Sequence, residues 1–370
     1  MQTQSENNTK HRLQWIDAMR GFTMILVVAY HVMTRCFLVK ADQSSSMIFL
    51  MLFRMPLFFF ISGFLAYKAQ AIWNGSYFGN MLAKKVRIQI IPTVVFFLIS
   101  CIFLSGHDKW WYMVKMLQQS SKGGYWFCLV LLYMFIIYYS FEYIMHRFKV
   151  KSNIPLFLLW AFSIMVGVTC YLPNEFSYAL IADGKPTTNN WLAYTSVIQL
   201  MQYFQFFILG NLVHRFWCIF NKMFDKSSLV LIVIAIAFLS SVDYIKLHYL
   251  AGEYKVITRI LSMYSLLIVV FIFFRNYQSS FVKEKHLGSI LQYIGTRTLD
   301  IYLLHFLFIP LLPEIGKFMM SHHGNFVLEV TVSIIFSMVV IGFCIIASNI
   351  LRMSPLLKKY LFGRNQTNHS

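Results

Sequence analysis

The sequence predicts an all-α fold, a polytopic integral membrane helix bundle of about ten transmembrane helices with both termini cytoplasmic. Three observations carry this. Of 370 residues, 58% are hydrophobic and only 12% charged, with 37 phenylalanines and a mean hydropathy of +0.61. So little polar surface cannot wrap a soluble core. At about 20 apolar residues per span, ten segments emerge: 21–39, 47–67, 88–105, 125–145, 154–172, 191–212, 228–245, 256–274, 298–312 and 326–350. Finally, 21 lysines and arginines fall on one set of connecting segments and 8 on the other, which by the positive-inside rule puts both ends of the chain in the cytoplasm. The expected organisation is a cytoplasmic N-terminal segment 1–20, a transmembrane domain 21–350 and a short basic cytoplasmic tail 351–370.

The net charge of +18 is scattered through short loops and forms no nucleic-acid motif, which excludes nucleic acid as a partner and leaves the lipid bilayer. Cys36, Cys101, Cys128, Cys170, Cys218 and Cys344 lie in or beside apolar segments with no CxxC, so they read as small buried hydrophobes, with no metal site. The first apolar run lacks a cleavage signature and reads as a retained span.

That first span is the most informative. It is entered through Asp17 and Arg20, and His31 interrupts its apolar run. Eleven residues return His31 to within about 20° of Arg20, about 16 Å further along the axis, so Arg20, Met24, Val27 and His31 share a face. Ionisable groups inside spans point to function by default, and this pair is placed to hold the two ends of an elongated substrate. The same spacing also suits a snorkelling arginine and a histidine bonded to a neighbouring helix.

In the second span, Pro56 is expected to kink or break the helix near Arg54, and Gly63 to admit a close neighbour. A buried Arg54 needs a partner or a wet cavity: it binds an anion or oxygen-rich ligand, or it pairs structurally. Lys84, Lys85 and Arg87 open the third span, with Lys84 and Arg87 three apart and facing the same way. They suit a phosphate-bearing ligand from the cytoplasm, and equally simple positive-inside anchoring. Trp110, Trp111, Tyr112, Tyr125 and Trp126 read as an interfacial belt or as a sugar-stacking platform beside His107 and Lys109. The loop 173–190 is the most polar exterior segment and is placed to cover an entrance.

Thr195, Gln199, Gln202 and Gln205 make a polar stripe that faces either a water-filled cavity or a hydrogen-bonding helix. Lys283 to Arg297 reads as an amphipathic segment at the interface. In the ninth span Thr298, Tyr302 and His305 share a face, and Arg297 and Asp300 are spaced to pair. His305 is a second intramembrane histidine, catalytic or bonded for packing.

These residues resemble a known family. RLQWIDAMRGFTMILVVAYH, with ten residues between Arg20 and His31, is similar to the opening of the membrane acyltransferase-3 family, whose members O-acylate carbohydrates and some antibiotics. MPLFFFISGFL at 55–65, the Lys84, Val86 and Arg87 site where relatives carry an RxxR pair, FFILGNL at 206–212 and GTRTLDIYLLH at 295–305 resemble its later motifs. Lysine replaces the first arginine of the pair, and Thr298 stands where serine is usual.

The resemblance implies a ten-helix O-acyltransferase in the bacterial inner membrane, with acetyl-CoA or another acyl-CoA as donor substrate, no bound cofactor and a carbohydrate acceptor. It implies that Arg20 and His31 are catalytic and that Arg20, Lys84, Lys85 and Arg87 meet the acyl-CoA. Candidates for the oxyanion or the acceptor are Arg54, Thr298, Tyr302, His305, Gln199 and Gln202. No SGNH-type soluble domain is expected, and the oligomeric state is open. The competing expectation is a transporter or flippase for a lipid-linked sugar or small acid; against it, no inverted repeat or matched pair of broken helices is evident. A third is a sensor or assembly subunit that kept the fold without the chemistry.

Overall fold

The computed structural model describes residues 13–40, 44–69, 71–104, 108–172, 191–246, 254–322, 325–354, 357 and 361. Every regular element among them is helical. The expectations placed on His107, on the loop 173–190, and on most of the terminal segments 1–20 and 351–370 lie outside the described residues.

α1 (Gln14–His31) is the axis of the bundle, buried at almost every position from Trp15 to Ala29. It begins well before the apolar run because its polar first turns have partners. Gln14 accepts from the Lys283 amide at 3.1 Å, and Arg20 pairs with Asp17 at 3.4 Å. The helix continues through a π-helical turn, Val32–Cys36.

α2 (Ser45–Ala66) is one continuous helix with Pro56 inside it, so the expected break is absent. Flanking helices sustain a proline-bearing span in this way, because packing compensates for the lost hydrogen bond. α3 (Gly75–Lys85) passes through a second π-helical turn, Val86–Ile90, into α4 (Ile91–Leu104). α5 (Lys109–Gln118) leaves Trp110 and Trp111 exposed, and α6 (Trp126–Arg147) follows. α7 (Ile154–Thr169), α8 (Trp191–Thr195) and α9 (Val197–Arg215) come next, the last two separated at Ser196 by a left-handed backbone with φ 57°. α10 (Trp217–Phe224), α11 (Ser227–Lys246) and α12 (Tyr254–Asn276) complete the middle of the chain. Then come α13 (His286–Thr296), α14 (Thr298–Phe308), α15 (Pro313–Ser321) and α16 (Phe326–Met353).

Two backbone-on-backbone crossings set the core. A Cβ on Gly21 would meet the Leu291 carbonyl of α13, and one on Gly295 would meet the Asp17 carbonyl of α1. Gly63 of α2 and Gly210 of α9 are likewise pressed against the Phe207 and Phe60 carbonyls of each other's helices. Small residues permit this approach, and in lipid the resulting dispersion contacts drive helix association. α13 is thus part of the bundle, with Leu291, Ile294 and Gly295 buried, while Leu287, Ile290 and Tyr293 stay exposed.

Among the described residues, seven helices are long and apolar enough to cross a membrane, and an eighth span arises if α14 and α15, bent by 94°, are counted together. The expected fifth span is the shorter α7, and the sixth is divided at Ser196, its longer part diluted by glutamines. Outward-facing Leu231, Ile232, Phe238 and Leu239 show the apolar exterior that a bilayer requires.

Candidate active site

A cavity of about 410 Å³ lies between α1, α2, the α3–α4 junction, α6 and α14. Arg20, Met24, Val27 and His31 all line it, so the face expected from helical spacing is the face that α1 presents to this space. Two α-turns separate the arginine from Val27 and a third reaches the histidine, giving a lined path about 16 Å long.

One mouth of the cavity is cationic. Arg20, Lys68, Lys84 and Lys85 all line it. Arg20 is held on both sides, by Asp17 at 3.4 Å and by the Thr298 hydroxyl, to which it donates at 2.9 Å. Lys85 rests over the Phe135 ring at 3.7 Å. Arg87 is exposed and is absent from the cavity wall. Its expected alignment with Lys84 assumed α-helical winding, whereas the π-helical turn from Val86 changes the phase at that point. Lys68, just past α2, joins the mouth by tertiary folding, which no local spacing could reveal.

His31 occupies the other end. Its ring packs against Tyr30 at 5.5 Å, His305 at 5.3 Å and Phe306 at 5.0 Å, and among the described residues its side chain makes no hydrogen bond. His305 lies behind it, fully buried. The Nδ1 of His305 is 3.0 Å from the Ile301 carbonyl, which can only accept, so Nδ1 carries the proton. The Nε2 of His305 is then an acceptor without a partner.

Arg54 also reaches the cavity, its guanidinium 3.5 Å over the Tyr30 ring and its Nε buried without a hydrogen bond. Gln89, from the second π-helical turn, also lines the cavity, and its Oε1 is buried with no partner. Tyr302 lines the wall, but its hydroxyl donates to the Gly124 carbonyl at 3.1 Å. Trp126, placed with the interfacial aromatics by its sequence position, lines the cavity as well.

The glutamine stripe lies elsewhere. Gln199 and Gln202 are buried, but neither lines the cavity, and Gln205 accepts from the Tyr264 hydroxyl of α12 at 2.7 Å. Asp300, the carboxylate nearest His305 in sequence, ties α14 to α16. Arg352 grips it through two bonds of 2.7 Å, Ser348 donates to it at 2.7 Å, and Arg297 stands 3.7 Å away.

Among the described residues, three arginines that are not exposed sit without a carboxylate partner. They are Arg35, which donates to the Gly123 carbonyl at 2.8 Å, Arg54 and Arg259. A ring beneath a desolvated cation returns about 2 kcal/mol. Withdrawing that cation from water costs several kcal/mol. The imbalance leaves a positive field at this end of the bundle, suited to a negatively charged or strongly polar visitor.

The site is thus one cavity inside a membrane helix bundle, with a cationic mouth at one end and the His31 imidazole at the other. The sequence pattern of the acyltransferase domain family matches residues 13–348, and the chain belongs to that family. It is a membrane acyltransferase. No curated protein and no solved structure matches the chain.

Proposed function

We propose that the chain is an O-acyltransferase that takes an acyl group from cytoplasmic acyl-CoA, acetyl-CoA being the simplest donor, and places it on a hydroxyl of a cell-surface or exported polysaccharide or glycolipid. The observation that carries this reading is the single cavity lined by Arg20 at one end and His31 at the other. With Arg20 at the cytoplasmic mouth of a bacterial inner membrane, Arg20, Lys68, Lys84 and Lys85 receive the phosphates of the donor. The thin pantetheine arm follows Met24 and Val27, and Gln89 offers its free oxygen to an amide N–H. The thioester arrives beside His31.

His31 accepts the proton of the incoming hydroxyl as its oxygen attacks the thioester carbonyl. Negative charge then develops on the carbonyl oxygen, and Arg54, with its unengaged Nε, faces it. The tetrahedral adduct collapses by breaking the C–S bond, and the imidazolium returns its proton to the departing thiolate. The products are an ester and free CoA thiol. In the two-step variant His31 attacks first, forming an acyl-imidazole that the hydroxyl then resolves. His305 sits behind His31 with its Nε2 open, placed to accept the N–H of the neighbouring ring and fix its tautomer. Thr298 holds Arg20 and serves as a positioning residue.

Membranes containing the chain, incubated with acetyl-labelled acetyl-CoA and extracted glycans, are expected to leave label covalently on a glycan in a base-labile ester. Label that crosses the membrane without covalent capture would instead establish transport.

A further inference from the structure

A second cluster lies outside the cavity, where α7, α11 and α12 converge. The guanidinium of Arg259 sits over the Tyr171 ring at 4.2 Å and faces Tyr244 at 6.0 Å. Arg259 Nε and the Tyr171 hydroxyl are buried with no hydrogen-bond partner, and so is Ser241 Oγ, one turn before Tyr244 on α11. No carboxylate among the described residues pairs with Arg259, Asp243 included. The side chains of Arg259 and Tyr171 nonetheless remain partly exposed, so a ligand has access.

The cluster lies at the end of the bundle remote from the cationic mouth. Trp15, at the start of α1, packs on Phe271 of α12, and Arg259 precedes Phe271 by about 18 Å of helix. Tyr203 links the cluster to the reaction centre. It is within electrostatic reach of Arg259 and Tyr244 on one side and of Arg54 and Tyr30 on the other. Its ring stacks on Trp126, a cavity residue, at 5.9 Å.

A guanidinium whose Nε is desolvated and unpartnered, seated on a π-face beside the unpartnered hydroxyl of Tyr171, is a binding site short of its anion. We infer that Arg259, Tyr171 and Ser241 form an acceptor subsite for the negatively charged group of a glycan, a sugar carboxylate or a sugar phosphate. The adjoining sugar lies along Tyr203 and Trp126 and brings its hydroxyl toward His31. The inference rests on the acyltransfer to a glycan proposed above and names the chemical class of that acceptor.

The test uses the full chain in nanodiscs of phosphatidylcholine alone, which contain no anionic lipid. Binding of a β-1,4-linked glucuronic acid tetramer is compared with that of cellotetraose, its carboxyl-reduced equivalent, and of cellotetraose phosphorylated at the 6-positions. One of the two anionic tetramers is expected to bind at least tenfold more tightly than cellotetraose, and which one identifies the anion. Arg259→Gln is expected to erase that preference, and Arg259→Lys to keep part of it. Tyr171→Phe removes only an unpartnered hydroxyl, so it should fold as the parent does yet bind the anionic tetramer about fivefold more weakly, with cellotetraose unaffected.

Equal binding of charged and neutral tetramers, no binding of either anionic one, or a preference that survives Arg259→Gln would overturn the subsite. Labelled acetyl transfer is measured on the same preparations. Transfer without a charge preference sinks the subsite and leaves the acyltransferase reading standing, whereas a complete lack of transfer to any glycan counts against that reading, independently of the binding data.

Discussion

His31 packs against Tyr30, His305 and Phe306 and lines the cavity. General-base catalysis contributes roughly 100- to 10,000-fold, so His31→Ala is expected to reduce acyl transfer by at least that range while membrane insertion and thermal unfolding stay near the parent. Transfer rates on purified protein check this, and activity within tenfold of the parent removes the base assignment. Arg20 makes a different prediction. Its charge-assisted contacts with a phosphate are worth about 1.5–3 kcal/mol each, so Arg20→Ala should raise KM for acetyl-CoA by about 100-fold and change kcat less. Thr298→Val removes the hydroxyl that Arg20 bonds at 2.9 Å and should raise the same KM by about tenfold. A fall in kcat with KM unchanged would move Arg20 away from donor binding. The shared face of Arg20 and His31 was legible because one unbroken α-helix carries both. Lys68, Gln89 and Arg259 escaped, since each acquires its surroundings from helices remote in sequence.

Helices meet here through glycine. Gly63 was recognisable as a contact point, whereas its counterpart Gly210 and the Gly21–Gly295 crossing depend on a pairing of helices that hydropathy does not encode. An added methyl in a packed interface costs about 1–3 kcal/mol, and at Gly295 it would meet a backbone carbonyl that cannot rotate aside. Gly295→Ala should therefore lower the unfolding midpoint in detergent by several degrees and reduce activity. Gly342→Ala, where nothing lies within 4 Å of the added carbon, should be neutral or slightly stabilising through helix propensity. Equal midpoints for both variants would contradict the close crossing. Pro56 and the glutamine stripe show the opposite difficulty, since local chemistry is plain in both but its outcome is decided by neighbours. The proline is absorbed into a continuous run of helix, and Gln205 spends its amide on Tyr264 and the Gln202 carbonyl.

The membrane class of the whole chain follows from composition, because 58% hydrophobic residues cannot be hidden inside a bundle of this size. The number of crossings is harder to read. α7 is short, α8 and α9 are separated by Ser196, and α14 turns sharply into α15, so apolar length alone does not define each passage. Sidedness rests on the lysine and arginine asymmetry and is directly measurable. In a Cys218→Ser background, which removes the one exposed native thiol among the described residues, Asn74→Cys is expected to react with a membrane-impermeant maleimide only after cell lysis. Lys109→Cys should react in intact cells. The reverse pattern would place the cationic mouth outside and remove cytoplasmic acyl-CoA as the donor.

The π-helical turn at Val86–Ile90 has a consequence for how this chain tolerates change in length. Such a turn holds one residue more than regular winding would, and here that surplus residue lies between the lysines before it and the apolar span behind it. Because the widened turn absorbs the surplus, deleting a single residue between 86 and 90 would restore ordinary pitch and leave Lys84 and Lys85 facing the chamber, whereas the same deletion inside the regular winding of α4 would rotate everything before it by roughly 100°.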